Sequence, residues 1–108
     1  FMESMDYVQI VYLLNIPNRS WSVGPKLNTP RQQFSCIVSP NQQLYAIGGF
    51  SALLDQVFSS IELVSTINIE DNEWSYTDER LSKPLTDTSC VLYDHNIFVI
   101  GGTHEKDG

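Results

Sequence analysis

The feature that most constrains this chain is an internal repeat with a period of about 50 residues. Trp21 recurs 53 residues later as Trp74, and the pair Gly48-Gly49 recurs after the same interval as Gly101-Gly102. A period of this length is typical of propellers, solenoids and arrays, in which one supersecondary unit is copied and stacked. The sequence therefore predicts a chain whose function is one of surface and assembly.

The repeat continues through the segments between these markers. When the two tryptophans are superposed, residues 8–14 fall opposite residues 61–67, so that Gln9 corresponds to Glu62 and Asn15 to Asn68. The apolar run 44–47 before the first glycine pair matches the run 97–100 before the second. Polar and apolar positions are thus copied together, which favours a duplicated unit.

The two cysteines, Cys36 and Cys90, occupy the same position of successive repeats. We interpret them as copies of a small buried residue. Equivalent positions of neighbouring units are separated by a whole unit, whereas a disulfide needs Cα atoms about 4.4–6.8 Å apart. The sequence therefore predicts free thiols, in line with a cytoplasmic protein.

Composition excludes several classes of partner. The chain has 108 residues, of which 42% are apolar and 18% charged, as in an ordinary globular domain or part of one. Its formal net charge of −7 opposes binding to phosphates or anionic lipid, so we expect no nucleic-acid and no membrane partner. No apolar run approaches the roughly 20 residues of a membrane-spanning helix.

Strand signals dominate the pattern. Two runs of β-branched and aliphatic residues, 8–14 and 61–67, are each followed by a turn cluster such as Pro17-Asn18-Arg19-Ser20 and then a Trp, and no stretch keeps an apolar stripe at helical spacing. We expect strands near residues 8–14, 34–38, 44–47, 61–67, 89–92 and 97–100. Each repeat then contributes four short antiparallel strands, and the fold class is all-β.

Four strands per repeat and a glycine pair after the second strand describe a propeller blade. The chain resembles the kelch-repeat family, whose repeat has an apolar run ending in Gly-Gly and a single Trp about 25 residues later. The resemblance implies four-stranded kelch-type β-propeller blades in an incomplete propeller of about two repeats. It places the second half of one blade in residues 1–30, a complete blade in 31–84 and the first half of a following blade in 85–108.

The resemblance also implies function. It favours a protein-interaction module, namely the substrate-binding propeller of a kelch-like adaptor of a ubiquitin ligase. In such an adaptor a BTB domain binds cullin-3 and the propeller captures the target. Two alternatives stay open, an actin-binding or cytoskeletal scaffold and part of a kelch-type propeller enzyme. Further blades are needed to close the ring.

Candidate binding residues lie in loops, where blades carry function. The connection from Phe50 to Ser60 contains more apolar side chains than a solvated loop needs, and these either form a contact surface or pack on the neighbouring blade. A second group, residues 31–33, follows Pro30 at the entry to the complete blade, where the resemblance to kelch adaptors implies polar side chains that bind a partner. The partner-binding candidates are Arg31, Gln32, Gln33, Phe50, Leu53, Leu54 and Phe58.

The repeat markers have structural roles. The glycines allow a positive φ and a close backbone approach where the chain leaves a strand, and each Trp offers a large apolar face to the space between blades. These residues are Trp21, Gly48, Gly49, Trp74, Gly101 and Gly102.

The sequence shows no nucleophile elbow, phosphate-binding glycine loop or zinc-ligand spacing. We therefore predict no catalytic residues, no metal and no cofactor, and a protein that is not an enzyme.

Overall fold

The structure is a computed structural model that describes residues 8–104, and these residues form an almost all-β chain. Within this range, the only helical element is a 3-10 turn at Ile69–Asp71. No helix in the described part of the chain is long and apolar enough to cross a membrane. The strands are β1 (Tyr12–Asn15), β2 (Ser20–Val23), β3 (Ser35–Val38), β4 (Gln43–Ile47), β5 (Phe50–Ser51), β6 (Gln56–Val57), β7 (Ile61–Ser65), β8 (Ser75–Tyr76), β9 (Ser89–Tyr93) and β10 (Asn96–Ile100).

The centre of the fold is one antiparallel sheet of four strands in the order β3-β4-β7-β8. Strands β4 and β7 pair over their full length, from Gln43 with Ser65 to Ile47 with Ile61. Two further two-stranded sheets, β1-β2 and β9-β10, flank it in sequence. The predicted four-stranded antiparallel unit is confirmed. The predicted division at residues 30 and 84 stays a prediction, and its outermost residues, 1–7 and 105–108, lie outside the described range.

The segment before β8 differs from the expected alignment. Leu13 pairs with Ser22 in the first hairpin, and Leu63 pairs with Ser75 in the second. In these pairs Ser75 lies 53 residues after Ser22, whereas Leu63 lies only 50 residues after Leu13. Strand β7 is therefore equivalent to β1 at an offset of 50 residues, and β8 is equivalent to β2 at an offset of 53. The expected equivalence of Gln9 with Glu62 is therefore wrong. The three additional residues lie in the connection between β7 and β8, which includes the 3-10 turn.

The first predicted strand, 8–14, also has different bounds in the structure. Residues 8–11 were expected to be extended, but the strand begins at Tyr12. Val11 and Gln9 still accept backbone hydrogen bonds, from Gly24 at 2.8 Å and from Leu27 at 2.9 Å.

The predicted loop 50–60 contains a second small hairpin. Strands β5 and β6 pair Phe50 with Val57 and Ser51 with Gln56. The Ser51 hydroxyl accepts a hydrogen bond of 3.1 Å from the backbone N–H of Leu54, which closes the turn. This connection is therefore ordered secondary structure.

The core lies on one face of the central sheet. Leu27, Ala46, Val64 and Trp74 form its buried cluster, and Val11 packs against it from the preceding hairpin. The indole N–H of Trp74 donates to the carbonyl of Pro25 at 2.9 Å, which satisfies its polar atom on burial. The predicted interblade role of this tryptophan agrees with these contacts.

Trp21 does not share this environment. Its exposed fraction is 67%, against 5% for Trp74, and its ring makes an edge contact with Tyr12 at a centroid distance of 6.3 Å. Trp74 bonds to a residue 49 positions upstream, and the corresponding position for Trp21 precedes residue 1. The predicted role of Trp21 between blades therefore stays a prediction.

The two glycine pairs adopt the expected conformation. Their φ angles are 69° and 93° in the first pair and 75° and 96° in the second. A Cβ on Gly48 would lie 2.5 Å from the carbonyl oxygen of Leu85, the residue that begins the next predicted blade. The N–H of Gly49 donates to the same oxygen at 2.8 Å. The first glycine pair is thus a junction between adjacent repeats.

Contacts between successive repeats join equivalent positions. Asp87 donates its N–H to the carbonyl of Gln33 at 2.9 Å, and the Ser35 hydroxyl donates to the carbonyl of Thr88 at 2.7 Å. Equivalent parts of neighbouring units therefore meet along one edge, as stacking of repeats requires.

Candidate partner-binding cleft

A buried ion pair fixes the segment that leads into the complete blade. Arg31 and Glu62 approach to 2.8 Å, and both side chains are fully buried. The remaining guanidinium donors bond to the carbonyl of Gly48 at 2.8 Å and to the carbonyl and hydroxyl of Ser60 at 3.0 Å each. The guanidinium also lies over the ring of Phe58, 5.5 Å from its centroid. Arg31 is therefore a structural crosslink of the blade.

Glu62 holds the same segment from the other side. Its two carboxylate oxygens accept the backbone N–H groups of Asn28 at 2.7 Å and Thr29 at 3.1 Å. Burying a charge is costly unless it is paired and hydrogen-bonded, and both conditions are met here.

This geometry corrects two of the predicted binding residues. Arg31 is 1% exposed and Phe58 is 6% exposed, so neither side chain offers a free surface to a partner. The sequence predicts Arg31 as a binding residue at the blade entry and gives no sign of its burial, because its ion-pair partner lies 31 residues away in β7. Phe58 packs inward, which is the second of the two roles considered for the apolar loop.

The other predicted residues are at or near the surface. Leu53 and Leu54 are 47% and 45% exposed at the tip of the β5-β6 hairpin. Phe50 is half-buried, and its backbone is tied to that of Gln32 by two hydrogen bonds of 2.8 Å. Gln32 and Gln33 expose their side chains. A binding role for these five residues stays a prediction.

Two of the predicted residues, Leu54 and Phe58, line a cleft of about 420 Å³, whereas the other five predicted residues do not line it. The β5-β6 hairpin forms one wall, and residues 28–30 and β8 form the rest. Residues that the sequence did not single out complete it, above all Tyr76 and Arg80. The lining residues are Asn28, Thr29, Pro30, Leu54, Gln56, Phe58, Ser60, Tyr76 and Arg80.

The cleft has an apolar wall and a polar floor. Leu54, Phe58 and Pro30 supply apolar surface, while the hydroxyls of Thr29 and Tyr76 are hydrogen-bonded to each other. Arg80 is exposed and brings a positive charge, and no lining residue is acidic. In a chain of net charge −7, this composition suits a ligand that combines apolar side chains with hydrogen-bond acceptors or a negative group.

The ionisable side chains of the lining are those of Tyr76 and Arg80. The lining contains no His, Cys, Asp or Glu. Among residues 8–104, no cluster of three such side chains is placed to hold a metal ion.

The cysteines lie apart from this cleft, on β9 and its predicted equivalent β3. Both thiols are free, as predicted, but Cys36 is exposed and Cys90 half-buried, so the expectation of full burial is wrong. Desolvation of the sulfur raises the pKa of the Cys36 thiol, the neighbouring Cys90 raises it further, and Arg31 lowers it in part. The reactive thiolate form of Cys36 is therefore less populated at a given pH than that of an ordinary cysteine.

Comparison with known proteins agrees with this fold. The chain is 30% identical over 98 residues to the F-box/kelch-repeat protein SKIP11 of Arabidopsis thaliana, a match that covers 91% of this chain and 20% of that protein. It superposes on the solved structure of YjhT with a TM-score of 0.76 and 16% identity, covering 90% of this chain and 29% of that one. No protein-family model matches the chain.

The fold class is thereby confirmed as kelch-type propeller blades. The predicted resemblance to the kelch-repeat family is confirmed as well. The chain spans about one-fifth of the length of the curated relative that it matches.

Proposed function

We propose that this chain is part of a propeller that binds a protein partner through the cleft beside the β5-β6 hairpin. The observation that carries the proposal is the junction of exposed Leu54, Tyr76 and Arg80 around one recess. Exposed aromatic and arginine side chains at the edge of an apolar recess are typical of protein-binding surfaces. The scaffold beneath them is rigid because Arg31 and Glu62 are fully bonded.

The finer form of the proposal is a substrate receptor of a cullin-3 ubiquitin ligase that acts in the cytoplasm. In such a protein the propeller selects the target, and a separate domain outside this chain recruits the ligase. The name of SKIP11 combines kelch repeats with an F-box, so in that protein kelch repeats also accompany another module. This supports a protein in which the kelch repeats bind the target and another domain recruits the ligase.

The test is affinity capture with the full-length protein from cells. Arg80→Glu reverses the only charge in the cleft lining, and Lys83→Glu makes the same change at an exposed position outside it. We expect a specific partner to be lost with Arg80→Glu and kept with Lys83→Glu, with equal thermal midpoints for both variants. Equal recovery of every partner with the two variants would contradict binding through this cleft.

The same affinity-capture experiment distinguishes a ubiquitin-ligase receptor from a cytoskeletal scaffold. A receptor recovers cullin-3 with both variants, because recruitment does not use the cleft. Recovery of actin or another filament protein without cullin-3 contradicts the receptor and favours the cytoskeletal alternative.

A further inference from the structure

The outer edge of the complete blade passes along the cleft. Strand β8 is the last strand of the sheet β3-β4-β7-β8, and among residues 8–104 no strand pairs with its outer side. Tyr76, the second residue of β8, lines the cleft and is 52% exposed. This edge belongs to the blade whose four strands are all described, so it is an edge of the finished sheet.

The register of β8 with β7 directs the main chain of Tyr76 outward. Tyr76 pairs with Glu62, and the N–H of the following residue, Thr77, donates to the carbonyl of Ile61 at 2.9 Å. Hydrogen-bonded and non-bonded pairs alternate along antiparallel strands, so Tyr76 and Glu62 form a non-bonded pair. The N–H and C=O of Tyr76 therefore point away from β7.

A second main-chain group shows where this outer edge faces. Trp74 lies two residues before Tyr76, so its carbonyl points to the same side. That carbonyl accepts a hydrogen bond of 2.9 Å from the side-chain amide of Asn28, which lines the cleft. The outer edge of β8 thus faces the wall of the cleft, and the main-chain groups of Tyr76 are the next ones along it.

The side chains that follow this edge alternate between two recesses. Tyr76 and Arg80 line the cleft, whereas Thr77 and Glu79 line a different recess. The alternation places the guanidinium of Arg80 in the cleft and keeps the carboxylate of Glu79 out of its lining. A ligand of the cleft therefore meets a positive charge beside a pair of outward main-chain groups.

These features fit an extended protein segment. A helix uses its main-chain N–H and C=O groups internally, whereas an extended segment offers both to the edge of a sheet. Its alternate side chains then point into the recess, where Leu54 offers an apolar contact and Arg80 offers a charge-assisted bond to a carboxylate. Exposed Glu73 and Asp78 flank β8, and they repel a segment that carries several acidic residues. The charges thus suit a segment with a single acidic side chain.

We propose, building on the function proposed above, that the partner adds an extended segment to the outer edge of β8. The segment makes main-chain hydrogen bonds to Tyr76 and places one acidic side chain on Arg80. Because β8 has only two residues, the added ladder is short, and the side chains seated in the cleft supply the selectivity.

The first test measures binding of peptides to the full-length protein by fluorescence anisotropy. The probes are capped heptapeptides of alternating Thr and Val, with one Glu at each position in turn, and the same peptides with Gln in place of Glu. We expect at least one Glu peptide to bind, and its Gln counterpart to bind at least about fivefold more weakly, because it loses the charge-assisted bond to Arg80. A set without any binding peptide, or equal binding of Glu and Gln peptides, would overturn the proposal.

The second test isolates the main-chain hydrogen bonds. Each amide of the tightest-binding peptide is methylated in turn, which removes one N–H and keeps every side chain. We expect binding at least about fivefold weaker for the amide that faces Tyr76 and little change for the two adjacent amides, which point away from β8. Equal effects at all positions would contradict strand pairing.

Matched variants of Tyr76 test the same bonds from the side of the protein. Tyr76→Ala removes the side chain and keeps the outward N–H, whereas Tyr76→Pro removes both. Proline is tolerated where the N–H of an edge strand faces solvent. We expect peptide binding at least about fivefold weaker for Tyr76→Pro than for Tyr76→Ala. Equal affinities of two folded variants would overturn the proposal, and the methylation pattern decides if Tyr76→Pro does not fold.

Hydrogen exchange of the full-length protein tests whether the edge is open. We expect the amide of Tyr76 to exchange rapidly in the free protein and at least about tenfold more slowly with the bound peptide. An amide that is already protected in the free protein would overturn the proposal, because another segment or a second copy then covers the edge.

Affinity capture with the same variants separates this pairing from the proposed function. Loss of the partner with Arg80→Glu, but equal recovery with Tyr76→Pro and Tyr76→Ala, would keep the cleft as the binding site and overturn the strand pairing. Recovery of every partner with Arg80→Glu would contradict binding through the cleft and the strand pairing together.

Discussion

At the scale of single residues, equivalent positions of the two repeats have unequal roles. Trp74 is buried against Leu27 and Val64, while Trp21 is largely exposed. The difference arises because a residue of a stacked unit is buried by its neighbour as much as by its own sheet. The identity of a repeated residue therefore predicts its position in the unit but not its contribution to stability.

The tryptophans give a matched pair of substitutions. Trp74→Ala removes a buried side chain and leaves a cavity, so we expect a loss of about 3–5 kcal/mol in the free energy of unfolding. Trp21→Ala removes an exposed side chain, and a loss of about 0.5 kcal/mol is expected for the chain at low concentration. Urea denaturation followed by circular dichroism measures both. Equal losses would contradict the core described around Trp74.

The ion pair gives a double-substitution test. Glu62→Gln leaves the buried guanidinium without a countercharge, and we expect a loss of about 3–5 kcal/mol in the free energy of unfolding. In the other repeat, the positions equivalent to Arg31 and Glu62 are occupied by Leu85 and Tyr12. The double variant Arg31→Leu with Glu62→Tyr copies these residues, and we expect its loss in the free energy of unfolding to be smaller than that of Glu62→Gln. Glu73→Gln, at an exposed carboxylate, is the control. A double variant less stable than Glu62→Gln would contradict the coupling of these two positions.

The thiol of Cys36 provides a test by pH. Its pKa is raised in the folded chain, so the fraction of reactive thiolate at a given pH is lower than in the unfolded chain. In a Cys90→Ser variant, which keeps the dominant effect of desolvation, the midpoint of the alkylation rate against pH should lie above that of the same variant in urea. The raised folded pKa stabilises the fold below the unfolded pKa, and this contribution is lost as pH rises through the folded value. A folded midpoint at or below the unfolded one would contradict the desolvation of this sulfur.

At the scale of elements, the sequence predicts strands better than it predicts their partners. The runs before each glycine pair are strands within one residue of the expected bounds, because alternating apolar residues and turn clusters mark them directly. The β5-β6 hairpin escaped prediction, since two-residue strands carry no periodic pattern. The register of β7 was misplaced because Asn15 and Asn68 both precede a Trp by six residues, although the structure aligns Asn15 with Ser65.

The strand ends give a prediction at this scale. Gly48→Ala places a methyl group against the carbonyl of Leu85, whereas Gly101→Ala meets no atom within 4 Å. Both substitutions carry the cost of a positive φ, so only their difference reports the close approach between repeats. We expect Gly48→Ala to be the more destabilising by at least about 1 kcal/mol. Equal midpoints in urea for the two dilute variants would contradict the junction at Gly48.

The candidate site was only partly predictable for a similar reason. Leu54 and Phe58 stood out as apolar residues in a loop, and the structure places both in the cleft lining. Tyr76 and Arg80 carry no local signal, because their proximity to the hairpin depends on the pairing of β7 with β8. The burial of Arg31 depends on a contact with a distant strand, which the sequence pattern does not record.

At the scale of the whole molecule, one complete sheet stands between two incomplete ones. Among residues 8–104, strands β4 and β7 have hydrogen-bonded neighbours on both sides, while each strand of β1-β2 and β9-β10 has a neighbour on one side. Backbone amides in β4 and β7 should therefore exchange with solvent only when most of the structure unfolds.

Hydrogen exchange tests this ranking on the dilute chain. We expect the slowest amide exchange in β4 and β7, faster by at least tenfold in β1 and β10, as measured by mass spectrometry of proteolytic peptides. Peptides of Cys36 to Val38 serve as an internal reference, because β3 has one neighbour in the same sheet. Uniform protection across these five strands would contradict the faster opening expected for β1 and β10.

The connection between β7 and β8 shows where such a scaffold tolerates change in length. The segment from Leu63 to Ser75 is three residues longer than the segment from Leu13 to Ser22, yet both pairs of residues are paired in the same way. Variation of loop length at this rim therefore leaves strand pairing intact. A spectroscopic label or an affinity tag placed in this turn can report on the molecule without disturbing the cleft that we assign to recognition.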